Sequence, residues 1–394
     1  MRLSRRAQQL APSPTMAVDA KAKELKAQGR NIINFSAGEP DFDTPEPIRA
    51  AGIRAIENGH TRYTAVGGTP ELKRAVAARI REDIGLTYAP GEILVSVGAK
   101  HSLFNAVMAL VDPGDGVLLP VPYWVTYPEQ IKLAEGVVQP VPLSAETGWA
   151  LTAEAVEAAL DGRSRGLILN SPSNPTGAVV PPEELARIAE VVRAHDLWVI
   201  ADEIYARLLY DGARHQSIAT FPGLRERTVV INGVSKAYAM TGWRIGYAAG
   251  PAEVIAAMTN LQSQSTSNPA AMTQDAAVEA LAGPQEAVEA MRREFERRRR
   301  VALEGLAGVR GLRAFPPQGA FYLWIDAGEW MGRELRGRPI RNADDLALVL
   351  LEEAEVALVP GSGFGVPTYL RMSYATSTAH IREGLSRLQA VLGG

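Results

Sequence analysis

The stretch that decides the fold runs Asn232-Gly-Val-Ser-Lys-Ala-Tyr-Ala-Met-Thr-Gly-Trp-Arg-Ile-Gly-Tyr247, preceded by the apolar run Thr228-Val-Val-Ile231. The run reads as a buried strand, and it delivers Lys236 just past its carboxyl end, where open α/β sheets bind their ligands. Ile245 to Gly250 reads as a further strand, too close behind for a crossover helix, so it is expected to lie antiparallel to its neighbours. A lysine at such a place can form an imine with a carbonyl compound. Arg244 offers a planar guanidinium suited to a phosphate group. Taken alone, the two read more simply as a surface lysine in a turn and a structural arginine. Their company upstream changes the balance.

Outward from this stretch the chain alternates strands and helices. Near-continuous apolar strands are expected at 93–97, 116–121, 137–142, 166–170, 197–201 and 228–232, with helices at 100–110, 152–160 and 182–195 between several of them. That pattern argues for a mostly parallel sheet covered on both faces. Upstream, a first helix is expected over 15–28, with Thr15 or Ser13 near its cap and Gly29 as its stop, then helices at 46–58 and 69–84. Downstream come helices at 252–262, 269–282 and 284–306. The run Arg297-Arg-Arg-Arg300 reads as the wet face of the last of these. After Gly311 short strands are expected at 312–315, 320–326, 356–359 and 369–373, with helices at 343–353 and 378–391. This reads as a smaller α+β domain on which the amino-terminal segment can pack. The expected division is 1–45 as an arm and part of the small domain, 46–292 as the large domain, and 293–394 as the rest of the small one.

The bulk numbers bound the function. A chain of 394 residues is too long for one compact core. A formal net charge of -3 gives no electrostatic case for nucleic acid or an anionic membrane. Cysteine is absent, which excludes disulfides, thiolate metal sites and a cysteine nucleophile, and fits a reducing cytoplasm. The basic start Met1-Arg-Leu-Ser-Arg-Arg6 is followed by no apolar segment of signal-peptide length. No run reaches the roughly 18 apolar residues of a membrane helix. No metal site is read from the sequence.

The strand ends carry the chemistry. Asp202 emerges after Leu197-Trp-Val-Ile-Ala201, and burying a carboxylate there calls for a cationic partner such as a protonated ring nitrogen; the plainer alternative is a helix cap. Tyr205 follows three residues on and can donate to a phenolic oxygen. Ser171-Pro-Ser-Asn-Pro-Thr-Gly177 holds the amide of Asn174 on a stiff backbone at another strand end. Gly98-Ala-Lys100, opening a helix, has the layout of a phosphate seat. Trp124 can place an aromatic plane against a ring, or belong to the core. An imine-forming lysine, a phosphate seat and a carboxylate for a ring nitrogen together fit pyridoxal 5'-phosphate.

The segments 171–177, Asp-Glu-Ile-Tyr (202–205), Gly-Val-Ser-Lys-Ala-Tyr-Ala-Met-Thr-Gly-Trp-Arg-Ile-Gly-Tyr (233–247) and Arg-Met-Ser-Tyr-Ala (371–375) resemble the class I aminotransferases of fold type I. Within them the chain looks most like the bacterial aspartate aminotransferase subgroup. Ser-Ala-Gly-Glu-Pro-Asp-Phe-Asp-Thr-Pro (36–45) and Pro-Tyr-Trp-Val-Thr-Tyr-Pro (122–128) support this, and the likeness runs in order from about residue 4 to the end. The resemblance implies a seven-stranded, mostly parallel sheet flanked by helices. It implies that Lys236 carries the cofactor as an internal aldimine and shuttles the substrate's α-proton. Asp202 would pair with the pyridine nitrogen, Tyr205 and Asn174 would hold the phenolic oxygen, and Trp124 would stack on the ring. Gly98, Ala99, Lys100, Ser235 and Arg244 would complete the cofactor site, with Tyr63 reaching the phosphate of the other subunit in a homodimer. Arg371 would grip the substrate α-carboxylate, helped by Asn174 and the backbone at Gly38. Without the resemblance it reads as half of a surface ion pair.

For the side-chain pocket the resemblance points to Thr15, Lys100 and the loop 265–268. Residues 263–268 contain no arginine, so Lys100 is the candidate for a second carboxylate. The expected reaction moves the amino group of L-aspartate to 2-oxoglutarate by a ping-pong route through pyridoxamine phosphate. Aromatic, methionine, glutamine or prephenate specificity is the alternative, with Ala11 standing where prephenate-accepting members tend to carry a basic residue. A lyase or a non-catalytic cofactor-binding module fits less well. There is no Gly-x-Gly-x-x-Gly after the first strands and no Gly-x-Ser-x-Gly, which weighs against an oxidoreductase or hydrolase.

Overall fold

The computed structural model describes residues 2–12 and 14–393, so the suggested cap Ser13 lies outside the described residues. Seven strands form the main sheet: β1 (Ile93–Val97), β2 (Gly116–Val121), β3 (Val137–Pro142), β4 (Ser164–Asn170), β5 (Trp198–Asp202), β6 (Thr228–Gly233) and β7 (Ile245–Ala249). Their order is β1-β7-β6-β5-β4-β2-β3. β7 runs antiparallel to both β1 and β6, and the remaining pairs are parallel. The carboxyl ends of β1, β4, β5 and β6 therefore meet at one edge of the sheet, beside the start of β7. Asn170 pairs with Asp202, and Val97 with Ile245.

The strands are apolar throughout because both faces are covered. Leu94, Ile200, Ile231 and Ala248 pack under helices Ala99–Leu110 and Ala252–Ser263. Ile93, Val95, Ile245 and Ala249 pack under Pro70–Ile84 and Ala271–Ala282 on the other face. Each such Leu or Ile, fully removed from water, contributes roughly 1.5–3 kcal/mol. Among the described residues no helix is long and apolar enough to cross a membrane.

The carboxyl-terminal part builds an antiparallel sheet from β8 (Arg313–Ala314), β9 (Tyr322–Asp326), β10 (Val359–Pro360) and β11 (Tyr369–Ser373), in the order β10-β11-β9-β8. The amino-terminal segment joins this part: Ile33–Asn34 pairs in parallel with Val356–Ala357, and Phe35 lies in the same core as Phe321, Leu350 and Leu388. The helix Glu286–Leu306 runs unbroken through residue 292.

Several elements differ from the sequence reading. The first helix starts at Pro14, which places Thr15 inside its first turn. The short helices Arg5–Gln9 and Thr126–Leu133 and the hairpin Arg333–Leu335/Arg338–Ile340 lack a long periodic signal and were not expected. The stretch 356–359 is two short strands interrupted at Leu358, each pairing with a different neighbour. Nor is Arg297–Arg300 a wet face throughout, because Arg298 and Arg299 are buried. Arg298 bridges Asp41 at 2.6 Å and Glu294 at 2.8 Å, and Arg299 reaches Asp211 at 2.7 Å, so each buried guanidinium has carboxylate partners.

Candidate active site

At the carboxyl edge of the main sheet lies a cavity of about 310 Å³, within the range of small-ligand sites. β5 ends on its floor. Asp202 is buried, and no helix follows it, so the cap reading does not apply. Its Oδ2 accepts from the Tyr127 hydroxyl at 2.7 Å and its Oδ1 from the Ile204 amide at 3.2 Å. Both donors are neutral. Burial therefore dominates and pushes the Asp202 carboxyl up to about 6, with the Tyr127 hydrogen bond opposing.

β6 delivers Lys236 opposite Asp202. Its ammonium donates to the Gly38 carbonyl. Burial brings the amine down to about 8, against the pull of Glu39 and with help from the charges of Arg371 and Arg244. On the order of a tenth of the amine is thus neutral at pH 7, far more than for an ordinary lysine, and the neutral form is what imine formation and proton abstraction require.

Two residues with positive φ face each other where helix Ala99–Leu110 begins. Gly98, at φ +83, precedes the first turn of Ala99–Leu110, and Arg244, at φ +55, precedes β7. A Cβ at Gly98 would lie 2.4 Å from Arg244 Nη2, so glycine is what lets the guanidinium lie beside the helix amino terminus. Arg244 Nη1 donates to the Thr241 carbonyl at 2.7 Å. Gly246 allows the same crowding from the other side, since a Cβ there would meet the Ala99 amide nitrogen at 2.1 Å.

Arg371, on β11, is 1% exposed. It is not in a surface ion pair. Nη1 donates to Asn174 Oδ1 at 3.0 Å and Nη2 to the Ser36 carbonyl at 2.8 Å, while Nε has no partner among the described residues. The guanidinium stacks 4.4 Å from the Tyr322 ring centre, and the Tyr322 and Tyr205 hydroxyls lie 2.9 Å apart. Asn174 is held by its own backbone, whose amide donates to Asn170 Oδ1 at 2.8 Å.

The cavity brings together Thr15, Gly38, Ala99, Lys100, Trp124, Asn174, Asp202, Tyr205, Ser235, Lys236, Arg244 and Arg371, all singled out from sequence. Gly98 borders it through Arg244. Tyr63 does not line it, its side chain standing 90% exposed, and residues 265–268 do not line it either. Tyr127, Tyr322 and Met16 were not foreseen. Lys100 Nζ sits 4.8 Å from the Trp124 ring centre. Four cations and one carboxylate thus line the cavity, and each cation rests on neutral groups. Such a set fits a ligand carrying one protonated nitrogen and several anionic groups. A phosphate between Gly98 and Arg244 and a ring nitrogen at Asp202 meet that demand.

Residues 30–388 match the family model of class I and II aminotransferases. The chain belongs to this family. An aspartate aminotransferase of Geobacillus stearothermophilus is similar at 49% identity over 389 residues, covering 98% of each chain. An aspartate/prephenate aminotransferase of Cereibacter sphaeroides is similar at 47% identity, covering 97% of this chain and 96% of the relative. The solved Thermus thermophilus aspartate aminotransferase with maleate covers the whole of both chains with a TM-score of 0.94 and 45% identity. The aminotransferase fold here is that of the fold type I enzymes, the chain is a transaminating enzyme, and its cofactor is pyridoxal 5'-phosphate.

Proposed function

We propose that this aminotransferase moves the amino group of L-aspartate to 2-oxoglutarate, giving oxaloacetate and glutamate in two half-reactions. The observation that carries this reading is Lys100. With Arg244 assigned to the cofactor phosphate, Lys236 to the cofactor carbonyl and Arg371 to the substrate α-carboxylate, Lys100 is the lining cation left for a second carboxylate. The names of the relatives, and the maleate in the Thermus structure, support a dicarboxylic substrate.

Pyridoxal phosphate, when bound, supplies a carbonyl that takes up the amino group and an electron-poor ring that holds the electron pair left by the α-proton. The chain's residues do the rest. The Asp202 carboxylate, oriented by Tyr127, would hold the ring nitrogen and favour its protonated form. Tyr205, fixed by Tyr322, and the Asn174 amide would hold the phenolic oxygen. Trp124 would hold the ring plane. Arg371 takes the α-carboxylate as a two-pronged donor, exchanging the Ser36 carbonyl for a charged acceptor. Lys236 Nζ would take the proton from the substrate α-carbon and hold it for return within the site, since burial keeps part of the amine neutral. Gly38, whose carbonyl accepts from Lys236, lines the cavity beside that transfer.

The division into a large domain, 46–292, and a small one made of both termini is part of this proposal, since Arg371 and Gly38 lie on the small part and Lys236 on the large. So are a cytoplasmic homodimer and a Tyr63 that serves the other subunit's phosphate. The exposed Tyr63, Ile53 and Ile56 on neighbouring segments support a partner surface. Prephenate as an alternative acceptor is supported by the Cereibacter relative's name, whereas Ala11 lies outside the cavity and brings no charge to it. Single-turnover half-reactions with a panel of amino acids test the assignment. Aspartate and glutamate are expected to be fastest; a faster reaction with methionine or phenylalanine would overturn it.

A further inference from the structure

The loop between helix Glu46–Glu57 and helix Pro70–Ile84 carries Tyr63, and two glutamines that hold it are fully buried. Gln274 lies on helix Ala271–Ala282 and Gln262 on helix Ala252–Ser263. A primary amide taken out of water needs partners at both of its ends. Gln274 Oε1 accepts from the Thr69 amide at 2.8 Å, while its Nε2 donates to Thr64 Oγ1 and to the Pro269 carbonyl, each at 2.9 Å. Gln262 Nε2 donates to the Val66 and Val95 carbonyls, both at 2.8 Å, and its Oε1 accepts from Asn105 Nδ2 at 3.1 Å. A backbone N–H only donates and a carbonyl only accepts, so the backbone fixes which way each amide is turned. At the start of the loop His60 Nδ1 lies 2.6 Å from Oδ2 of Asp275, the residue after Gln274.

The loop is thus tied at His60, Thr64, Val66 and Thr69. It also docks on β1, an edge strand: the Val95 amide donates to the Gly67 carbonyl at 3.0 Å, and a Cβ at Gly68 would meet the Val95 side chain at 2.7 Å. β1 runs on to Gly98 at the border of the cofactor cavity. Between the tied residues His60 and Thr64, the Tyr63 side chain stands 90% exposed. Buried polar groups that are satisfied in one arrangement disfavour every other, because moving the loop would strand them without partners. A loop ordered in advance also spares binding the entropy of ordering it. We propose that Gln274, with Gln262 beside it, is a positioning residue that presets the Tyr63 loop so that the hydroxyl meets the cofactor phosphate of the other subunit. This rests on the assignment of Tyr63 to that phosphate, and adds to it the residues that make the reach rigid.

Titration of four apoproteins with pyridoxal phosphate, read from the near-visible band, tests this: wild type, Tyr63→Phe, Gln274→Met and the double variant. Tyr63→Phe is expected to weaken cofactor binding roughly tenfold, the loss of a charge-assisted hydrogen bond, and Gln274→Met by roughly three- to tenfold. The double variant is expected to bind within about twofold of Tyr63→Phe alone, since a loop that no longer carries the hydroxyl gains nothing from being held. Hydrogen exchange of the apoprotein should show the Thr69 amide less protected in Gln274→Met. Losses that multiply in the double variant, an unchanged affinity in Gln274→Met, or an unchanged Thr69 amide would each overturn the proposal and leave Gln274 a residue of the fold. Failure of the Tyr63 assignment itself looks different, as wild-type affinity in Tyr63→Phe, and takes this proposal with it. Should Gln274→Met not fold, Thr64→Val, which removes one of its loop partners, goes through the same cycle under the same criteria.

Discussion

Asp202 carries a liability that its function explains. Its folded pKa, about 6, lies above the ordinary 3.8, because burial outweighs the neutral donors around it. A raised carboxylate pKa means that the native apoprotein binds the proton more tightly than the unfolded chain. Stability therefore falls as pH rises from about 4 to 6, and the cost is fully present above that, on the order of 3 kcal/mol. Asp202→Asn keeps the shape and removes the charge. The apo variant is expected to melt above apo wild type at pH 7.5, with the advantage shrinking as the pH falls through 6 toward 4. The same variant should lose transamination by roughly 10² to 10³-fold or more, as the loss of a preorganised charge does. Thermal melts of both apoproteins across that range check the first half; an apo variant less stable than wild type at pH 7.5 would mean that Asp202 is already compensated. Added cofactor should then stabilise wild type far more than the variant.

At the scale of elements, the phosphate seat makes a sharper case, because two glycines separate strain from contact. Gly98 and Gly29 both have left-handed φ, +83 and +89, but a Cβ at Gly29 meets nothing within 4 Å, whereas at Gly98 it meets the Arg244 guanidinium. Alanine costs about 1–2 kcal/mol of backbone strain at Gly29 and roughly 1–3 kcal/mol at Gly98, whose ψ of 159 lies in the region nearly reserved for glycine. Only Gly98→Ala is expected to shed cofactor, seen as loss of the near-visible band on gel filtration; equal retention in both would place the phosphate elsewhere. The turn at Gly98 into helix Ala99–Leu110 was legible in sequence because Gly-Ala before a helix is a local pattern, and so were β1 to β7, whose apolar runs follow from burial on both faces. Tyr127 and Tyr322 were not. Tyr127 sits on an eight-residue helix with too few turns to show a period. Tyr322 lies in the run Phe321-Tyr-Leu-Trp324, which reads as core; its place beside Arg371 comes from the pairing of β9 with β11, where Tyr322 meets Ser373 and Trp324 meets Arg371. Antiparallel register across some 50 residues of intervening chain is not written in either strand alone. The buried Arg298 and Arg299 escaped notice for a related reason, since their partners Asp41 and Asp211 are distant in sequence.

For the whole molecule, the open question is which subunit Tyr63 serves. Within its own chain Tyr63 does not line the cavity and is 90% exposed, so a role at the phosphate requires a second copy. Mixing two inactive variants separates the possibilities. Tyr63→Ala lacks the hydroxyl but keeps Lys236; Lys236→Ala lacks the amine but keeps Tyr63. If Tyr63 crosses to the partner, a mixed dimer holds one site with both defects and one site with neither. Refolding the two together at equal amounts makes about half the dimers mixed, with one intact site in each, so about a quarter of wild-type activity should return under two-fold symmetry. If Tyr63 served its own subunit, each site of a mixed dimer would keep one defect and nothing would return. The recovery should also fade on dilution below the dimer's dissociation constant, as mass action requires of a site completed by a second chain. A mixture no more active than its parents, under conditions where subunit exchange is verified by mass, would remove Tyr63 from the site and leave it a surface residue.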